Sequence, residues 1–354
     1  MKRLAALLLL LPAFVLAHAA PVSAQDLHEE RLDDFLGYVE NNNGGIGSLT
    51  IFRGGREVYG RSFGQNNLPG VAHDRNSKYQ IASVTKMVTA ILAFKLIEDG
   101  RLSLDDRLSA FYPDMPSSRE ITIGHLLAHT SGLGNFAIRN GSVWVVDEVG
   151  QPQILEEIKR QGTAFEPGER VAYSNSAYFL LRMILEQKYG RAYHEIVAQE
   201  IAEPLGLRNL ASAGSHPANT FKSYAFAGQW GEIKDIAYSN VIGVGDIAST
   251  TRDMGALITG LFQYRILRRD TLEQMEPAPG NGWGRGLAEF TYGEKRFLGH
   301  AGDVLGSHSR VIYNPKDEVA IAYSTNGERI PTNAFLETIV GIVYGDDVVF
   351  PEIK

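Results

Sequence analysis

Three short groupings in this chain could do chemistry together. The first is "QIASVTKMVTA", residues 80–90, which sets Ser83 three positions ahead of Lys86. On a helix, residues three apart share a face, so the hydroxyl and the amine can meet. A serine hydroxyl is a weak nucleophile until a base takes its proton. A lysine amine can do this only when neutral, and its ordinary pKa is about 10.4. Burial or nearby positive charge must lower that value, and Ile81, Ala82, Val84, Met87 and Val88 offer apolar surroundings. Ser83 at a helix start would also present its own N–H and the helix dipole to a developing oxyanion. The plainer alternative is a serine that caps a helix and a lysine that points to water.

The second grouping is "FEPGERVAYSN", which puts Tyr173 and Asn175 at the head of an amphipathic helix. A tyrosine can relay protons, and an asparagine can bind a substrate amide or hold the lysine. The pattern recurs at Tyr238-Ser239-Asn240, so at least one copy is expected to be structural. The third is "GHAG" in a β-prone run, where His300 and Gly302 share one face of a strand. Gly302 would let a ligand approach the backbone closely. Each pattern is common by chance when taken alone.

The elements that must position these residues follow from periodicity. "LHEERLDDFLGYVENNNGG" predicts a helix, and "GSLTIFRGGREVYGRSFG" a hairpin around Gly54-Gly55. The middle of the chain is mainly helical; "SVTKMVTAILAFKLIEDG" shows Met87, Ile91, Phe94 and Ile97 on a recurring face. "AYHEIVAQEIAEPLGL" reads as a further helix. The last third turns to strands at "WGRGLAEFTYG", "KRFLGHAG", "SHSRVIYNP" and "EVAIAYST", and "NAFLETIVGIVYG" closes as a helix. Successive strands with short turns pair antiparallel, and terminal helices cover them. The expected fold is α/β of the α+β kind. An antiparallel sheet subdomain (about 25–85 and 245–354) takes both chain ends, with a helical subdomain (about 86–244) between them. A cleft between the two is the natural place for a site.

Composition bounds the function. Residues 1–24 have Lys2 and Arg3, an apolar run from Leu4 to Ala17 and small residues before Gln25, the layout of a cleaved secretory signal. The run is shorter than the roughly 20 residues of a membrane span, so no stable membrane insertion is expected. Residues 25–354 then form one exported domain, periplasmic or extracellular. The chain has no cysteine, which excludes disulfides and thiolate chemistry. Its net charge of −7 becomes more acidic without Lys2 and Arg3, which argues against nucleic acid and anionic lipid as partners. His125 and His129 stand four apart on a predicted helix, but no glutamate follows His125 as a metalloprotease helix requires, so no metal is assigned. "GVGDIA" and "GNGWGRG" lack the strand-to-helix frame of a nucleotide site, so no cofactor is assigned. Trp283 and Phe165 are aromatics that could line the cleft.

In this order the three groupings resemble the S-x-x-K, Y-x-N and K-T-G or H-x-G motifs of the β-lactamase and D-Ala-D-Ala peptidase superfamily, on its class C-like branch. "GRLSLDDRLSAFYPD", "TIGHLLAHTSGL", "AEPLGL", "GDIASTTRDM" and "LGHAGDVLG" resemble its usual segments as well, so the likeness covers nearly all of residues 35–345. The resemblance implies a serine hydrolase working through an acyl-Ser83 intermediate, with Lys86 as base or base partner. It makes Tyr173 the general acid/base, and Asn175 the residue that orients the substrate and the lysine. His300 and Gly302 would edge the cleft, and the backbone N–H groups of Ser83 and Asp303 would form the oxyanion hole. Two departures stand out. His300 replaces a lysine of class C β-lactamases, and an ordinary histidine is mostly neutral at pH 7. Ser307-His308 follows Gly306, where an aromatic is more usual. A neutral His300 should hold a substrate carboxylate less tightly, with Arg285 and Arg310 the cations that could compensate. The expected substrate is therefore a small molecule or short peptide, cleaved by D-Ala-D-Ala carboxypeptidase-like, D-amino-acid peptidase-like or esterase chemistry. A class C-like β-lactamase, or a penicillin- or cell-wall-fragment-binding protein without turnover, is the alternative.

Overall fold

A computed structural model describes residues 27–68, 70–278 and 281–353; the signal assigned to residues 1–24 lies outside them. Helix α1 (Glu29–Asn41) leads into strands β1 (Gly45–Arg53) and β2 (Arg56–Phe63). Gly54 and Gly55 turn this hairpin with φ of 56° and 84°. Both values are left-handed, as the tight hairpin turn requires, and glycine reaches them without a Cβ penalty.

The strands of the last third are β3 (Ala288–Tyr292), β4 (Lys295–Val304), β5 (Ser307–Asn314) and β6 (Val319–Glu328). They join the first hairpin in one sheet of order β3-β4-β5-β6-β1-β2. Every neighbouring pair is antiparallel, and the pairing of Leu49 with Tyr323 and Ile51 with Ile321 welds the two chain ends together. Alternation then sends side chains to opposite faces. Phe297, Ile312, Ile321 and Tyr323 pack under α1 and the last helix, α5 (Thr332–Tyr344), against Phe35, Phe335 and Ile339. Leu298, Val311, Ala320 and Ala322 face the other way, into a larger core that extends through the helices of the middle of the chain.

At the centre of that core is helix α2 (Thr85–Glu98). Its sequence pattern suggests one apolar face, yet every residue from Thr85 to Phe94 is buried. Tertiary packing surrounds the helix, so the period of its apolar residues carries little information. Helix α3 (Asn175–Tyr189) is likewise buried from Ser176 to Leu185, and Ser174 caps it by accepting from Ala177 N–H. The expected helix from Tyr193 to Leu205 is broken by a π-helical turn at Ala198–Ala202. Helix α4 (Thr251–Phe262) packs against β1, β5 and β6. Among the described residues no helix is long and apolar enough to cross a membrane.

Candidate active site

A single 3₁₀ turn, Ala82–Val84, precedes α2 and carries Ser83. Ala82 has φ of 47°, a left-handed value that costs a residue with a Cβ about 1–3 kcal/mol. Val84, at the N-cap of α2, makes no side-chain capping bond. Ser83 Oγ stands 3.0 Å from Lys86 Nζ and accepts the Tyr173 hydroxyl at 2.6 Å. One helical step and one long-range contact therefore converge on a single oxygen.

Lys86 is fully buried. Its Nζ also donates to the Val244 carbonyl at 2.8 Å and lies 4.9 Å from the centroid of the Tyr173 ring. Neither hydrogen-bond partner carries a charge, so burial pushes the amine well below the ordinary lysine value. A neutral amine has one lone pair. With its own N–H given to Val244, that lone pair can accept the Ser83 proton. Tyr173 keeps 38% of its surface open, so its edge reaches solvent while its hydroxyl is engaged. Burial raises its pKa, the bond to Ser83 opposes this, and the Asp303 charge adds to it. The phenol is a proton donor in this state.

Strand β4 runs along the other side of Ser83. A Cβ on Gly302 would sit 2.1 Å from the Ile81 carbonyl oxygen and 2.9 Å from Ser83 N, so only glycine permits this approach. His300, two residues earlier on the same face, is 1% exposed. Its Nδ1 lies 2.6 Å from the Ala301 carbonyl, which only accepts, so Nδ1 carries the proton and Nε2 is a bare acceptor. Burial above all pushes its pKa down to about 3, leaving it neutral at physiological pH. Burial alone would raise the Asp303 carboxyl, but bonds from His308 (2.8 Å) and Arg310 (2.9 Å) hold it below the usual range. Arg285 donates to the Gln274 carbonyl at 3.0 Å. Of the two arginines, Arg310 is thus paired with Asp303 beside Gly302, and Arg285 is held on a backbone carbonyl.

Asn175 lies beside Tyr173, but its amide donates to Asn135 Oδ1 at 2.9 Å; the second hydrogen-bond contact of Lys86 is the Val244 carbonyl. The second Tyr-x-Asn copy is spent on the scaffold. Asn240 is fully buried and bonds Val145 O, Asp147 O and Val149 N, while Tyr238 donates to Asp235. His129 is a neighbour that motif reading passes over. Its buried ring lies 4.5 Å from Tyr173 and its Nδ1 accepts from Ser174 N–H at 3.2 Å. His125 Nδ1 accepts from Thr122 N–H, so both histidines of the metal-like pair serve the backbone. Trp283 stands 5.4–5.8 Å from the rings of His129, Tyr173 and His300, whereas Phe165 packs under Arg170.

The chain is similar to known proteins over most of its length. The chain is 25% identical over 291 residues to the teichoic acid D-alanine hydrolase of Staphylococcus aureus, covering 79% of this chain and 70% of that protein. Its fold is shared with the D-amino acid amidase of Ochrobactrum anthropi SV3 in complex with L-phenylalanine amide. That match has TM-score 0.80 and 24% identity, over 90% of this chain and 99% of the other. It is also shared with a D-stereospecific amidohydrolase from Streptomyces sp., with TM-score 0.75 and 23% identity, over 90% and 99%. The beta-lactamase family model matches residues 37–340. The antiparallel sheet, the helical core and this match together establish that the chain belongs to the beta-lactamase family of serine hydrolases.

Proposed function

We propose that the protein hydrolyses D-aminoacyl esters or amides through an acyl-Ser83 intermediate. The observation that carries this reading is the Ser83 oxygen held between the buried Lys86 amine and the Tyr173 hydroxyl, at 3.0 and 2.6 Å. Lys86 takes the serine proton as Oγ attacks the substrate carbonyl carbon. The backbone N–H groups of Ser83 and Asp303 receive the oxyanion. The C–O or C–N bond then breaks; Tyr173 protonates the departing alcohol or amine and regains a proton from the Lys86 ammonium. Water attacks the acyl ester with its proton going to the same pair, and Ser83 Oγ is reprotonated as the D-amino acid leaves. Asn175, His300 and Gly302 line the path of the acyl chain.

The neutral wall supports this substrate class. A buried uncharged His300 offers no fixed cation for a carboxylate, which favours substrates that lack one over D-Ala-D-Ala peptides and β-lactams. The names of the relatives point the same way, to D-alanine and D-amino acid derivatives. Residues 1–24 would carry the enzyme out of the cytoplasm to such substrates.

The test is intact-mass analysis after a fluorophosphonate, followed by a panel of D- and L-alanyl nitrobenzyl esters, D-alanine anilide, a D-Ala-D-Ala peptide and a chromogenic cephalosporin. A single adduct absent from Ser83→Ala, with D-alanyl ester turned over fastest, is expected. No adduct on the wild type refutes the mechanism, and preference for the cephalosporin refutes the substrate class. Ester turnover that survives in Lys86→Ala and Tyr173→Phe rejects the assigned roles. Labelling without turnover of any panel member favours the binding protein.

A further inference from the structure

The carbonyl of Val244 is a partner of Lys86, and a buried acid builds the turn that presents it. Residues 241–245 form a tight turn in which Val244 N–H and Gly245 N–H both donate to the Val241 carbonyl, at 2.9 and 2.8 Å. Gly243 takes φ of 73° there, and a Cβ on it would strike the Arg182 side chain at 2.4 Å. Asp246, fully buried, reaches back across the turn and accepts the Gly243 N–H at 2.7 Å. Its other oxygen accepts from Ala213 N–H at 3.0 Å and from the Ser212 hydroxyl, tying the turn to the neighbouring strand Ala211–Ser212. The same segment is stitched along the nucleophile helix. Thr89 donates to the Gly243 carbonyl at 2.7 Å, Ile81 N–H to the Ile247 carbonyl at 3.0 Å, and Ile247 N–H to Thr85 Oγ1 at 3.1 Å.

We infer that Asp246 is a positioning residue for the base: it fixes the Val244 carbonyl, which orients Lys86 Nζ so that its lone pair faces Ser83 Oγ. The inference rests on the proposed role of Lys86. A carbonyl accepts but never donates, so it takes an N–H of the neutral amine and leaves the lone pair for the serine proton. A lysine on a four-carbon stem has several rotamers within reach of a buried oxygen, and a displaced acceptor selects a different one. Burial pushes the Asp246 carboxyl up to about 6, the mark of a charge kept inside the fold at a cost that its hydrogen bonds only partly offset. A hydrophobic residue would fill the space more cheaply. What it could not do is accept on both sides and lock the turn.

The experiment is a double-mutant cycle between Asp246→Ala and Lys86→Ala on the full chain with an activated D-alanyl ester, read as kcat per fluorophosphonate-titrated site where Lys86 is present and per folded chain, checked by circular dichroism, where it is not. In the wild-type background Asp246→Ala should lower kcat per titrated site at least tenfold, with KM within threefold. In the Lys86→Ala background it should change the residual rate less than threefold, because the group it orients is gone. Asp246→Asn keeps one acceptor oxygen and should recover more than half of the lost rate on a logarithmic scale; it also serves if the alanine variant does not fold. Equal losses in both backgrounds, a KM that rises as far as kcat falls, or a wild-type rate per titrated site in Asp246→Ala overturns the assignment. If the asparagine variant alone folds, a kcat lowered more than twofold where Lys86 is present and unchanged in the Lys86→Ala background supports the assignment; a wild-type rate, or equal losses in both backgrounds, overturns it. Failure of the mechanism itself shows separately, as a wild-type chain that takes no label at Ser83.

Discussion

Tyr173 reaches Ser83 across 90 positions of sequence, and its hydroxyl donates to Ser83 Oγ at 2.6 Å. Removing that oxygen should leave the fold intact, because the ring and its packing against His129 remain. Tyr173→Phe should therefore lose roughly 10²–10⁴ in kcat, the usual worth of a general acid–base group. KM for a D-alanyl ester should shift little. Steady-state kinetics beside a thermal melt decide it; a variant retaining a tenth of wild-type kcat would remove Tyr173 from proton transfer.

The Lys86 amine should be visible in stability as well as in rate. Its folded pKa is lowered by burial while the unfolded value stays near 10.5. Between those values the unfolded chain holds a proton that the folded chain lacks, so stability rises with pH up to about 10.5. Urea melts of wild type and Lys86→Met at pH 7 and pH 9.5 should converge as pH rises, with the methionine variant more stable at pH 7. The slope of the difference is at most roughly 1.4 kcal/mol per pH unit. Parallel curves would mean that the amine is charged inside the core.

His300 imposes the corresponding acid limit. Its folded pKa of about 3 lies below the ordinary 6.5, so the unfolded chain takes up the proton first as pH falls. Stability is lost as pH falls from 6.5 to about 3, with a slope of at most roughly 1.4 kcal/mol per pH unit. His300→Asn lacks this penalty and should lower the acid-unfolding midpoint followed by circular dichroism. An unchanged midpoint would place the imidazole in water.

Gly302→Ala tests the closest approach at the site. The added methyl would lie 2.1 Å from a backbone carbonyl at Ile81, an atom that cannot swing away. Either β4 or the nucleophile turn must move, and displacement of either is expected to cost about 10²-fold or more in acylation rate. Stopped-flow acylation by a fluorophosphonate reads this directly. A wild-type rate would show that the turn and the strand have slack.

The two Tyr-x-Asn copies should separate by phenotype. Asn240→Ala strips buried partners from Val145, Asp147 and Val149 and should cost about 1–3 kcal/mol with kcat per titrated site kept. Asn175→Ala should lower kcat/KM with a much smaller change in melting temperature. The opposite pairing of effects would reverse the assignment of the copies.

The strands and the hairpin were legible in sequence because glycine turns and alternation act locally, as at Gly54-Gly55 and along β4 and β6. The serine and the lysine were legible because a helix converts a spacing of three into proximity. Other contributors leave weaker marks. Val244 acts through its carbonyl, which any residue possesses. Asp246 acts on a backbone N–H three residues away, and His129 acts through the face of its ring. The burial of α2 from Thr85 to Phe94 was hidden for a related reason. A helix surrounded by other elements has no polar face, so nothing in its period distinguishes one side from the rest.

The weld between the two chain ends also has a temporal meaning. A ribosome makes Ser83 and Lys86 early, while β4, with Gly302 and His300, comes late, and β6, which must lie beside β1 to complete the sheet, comes later still. Pairing of such distant segments is slow to form. Throughout most of synthesis Ser83 therefore lacks the strand that stands beside it in the fold. The strand wall beside Ser83 exists only once β4, β5 and β6 have paired back to β1.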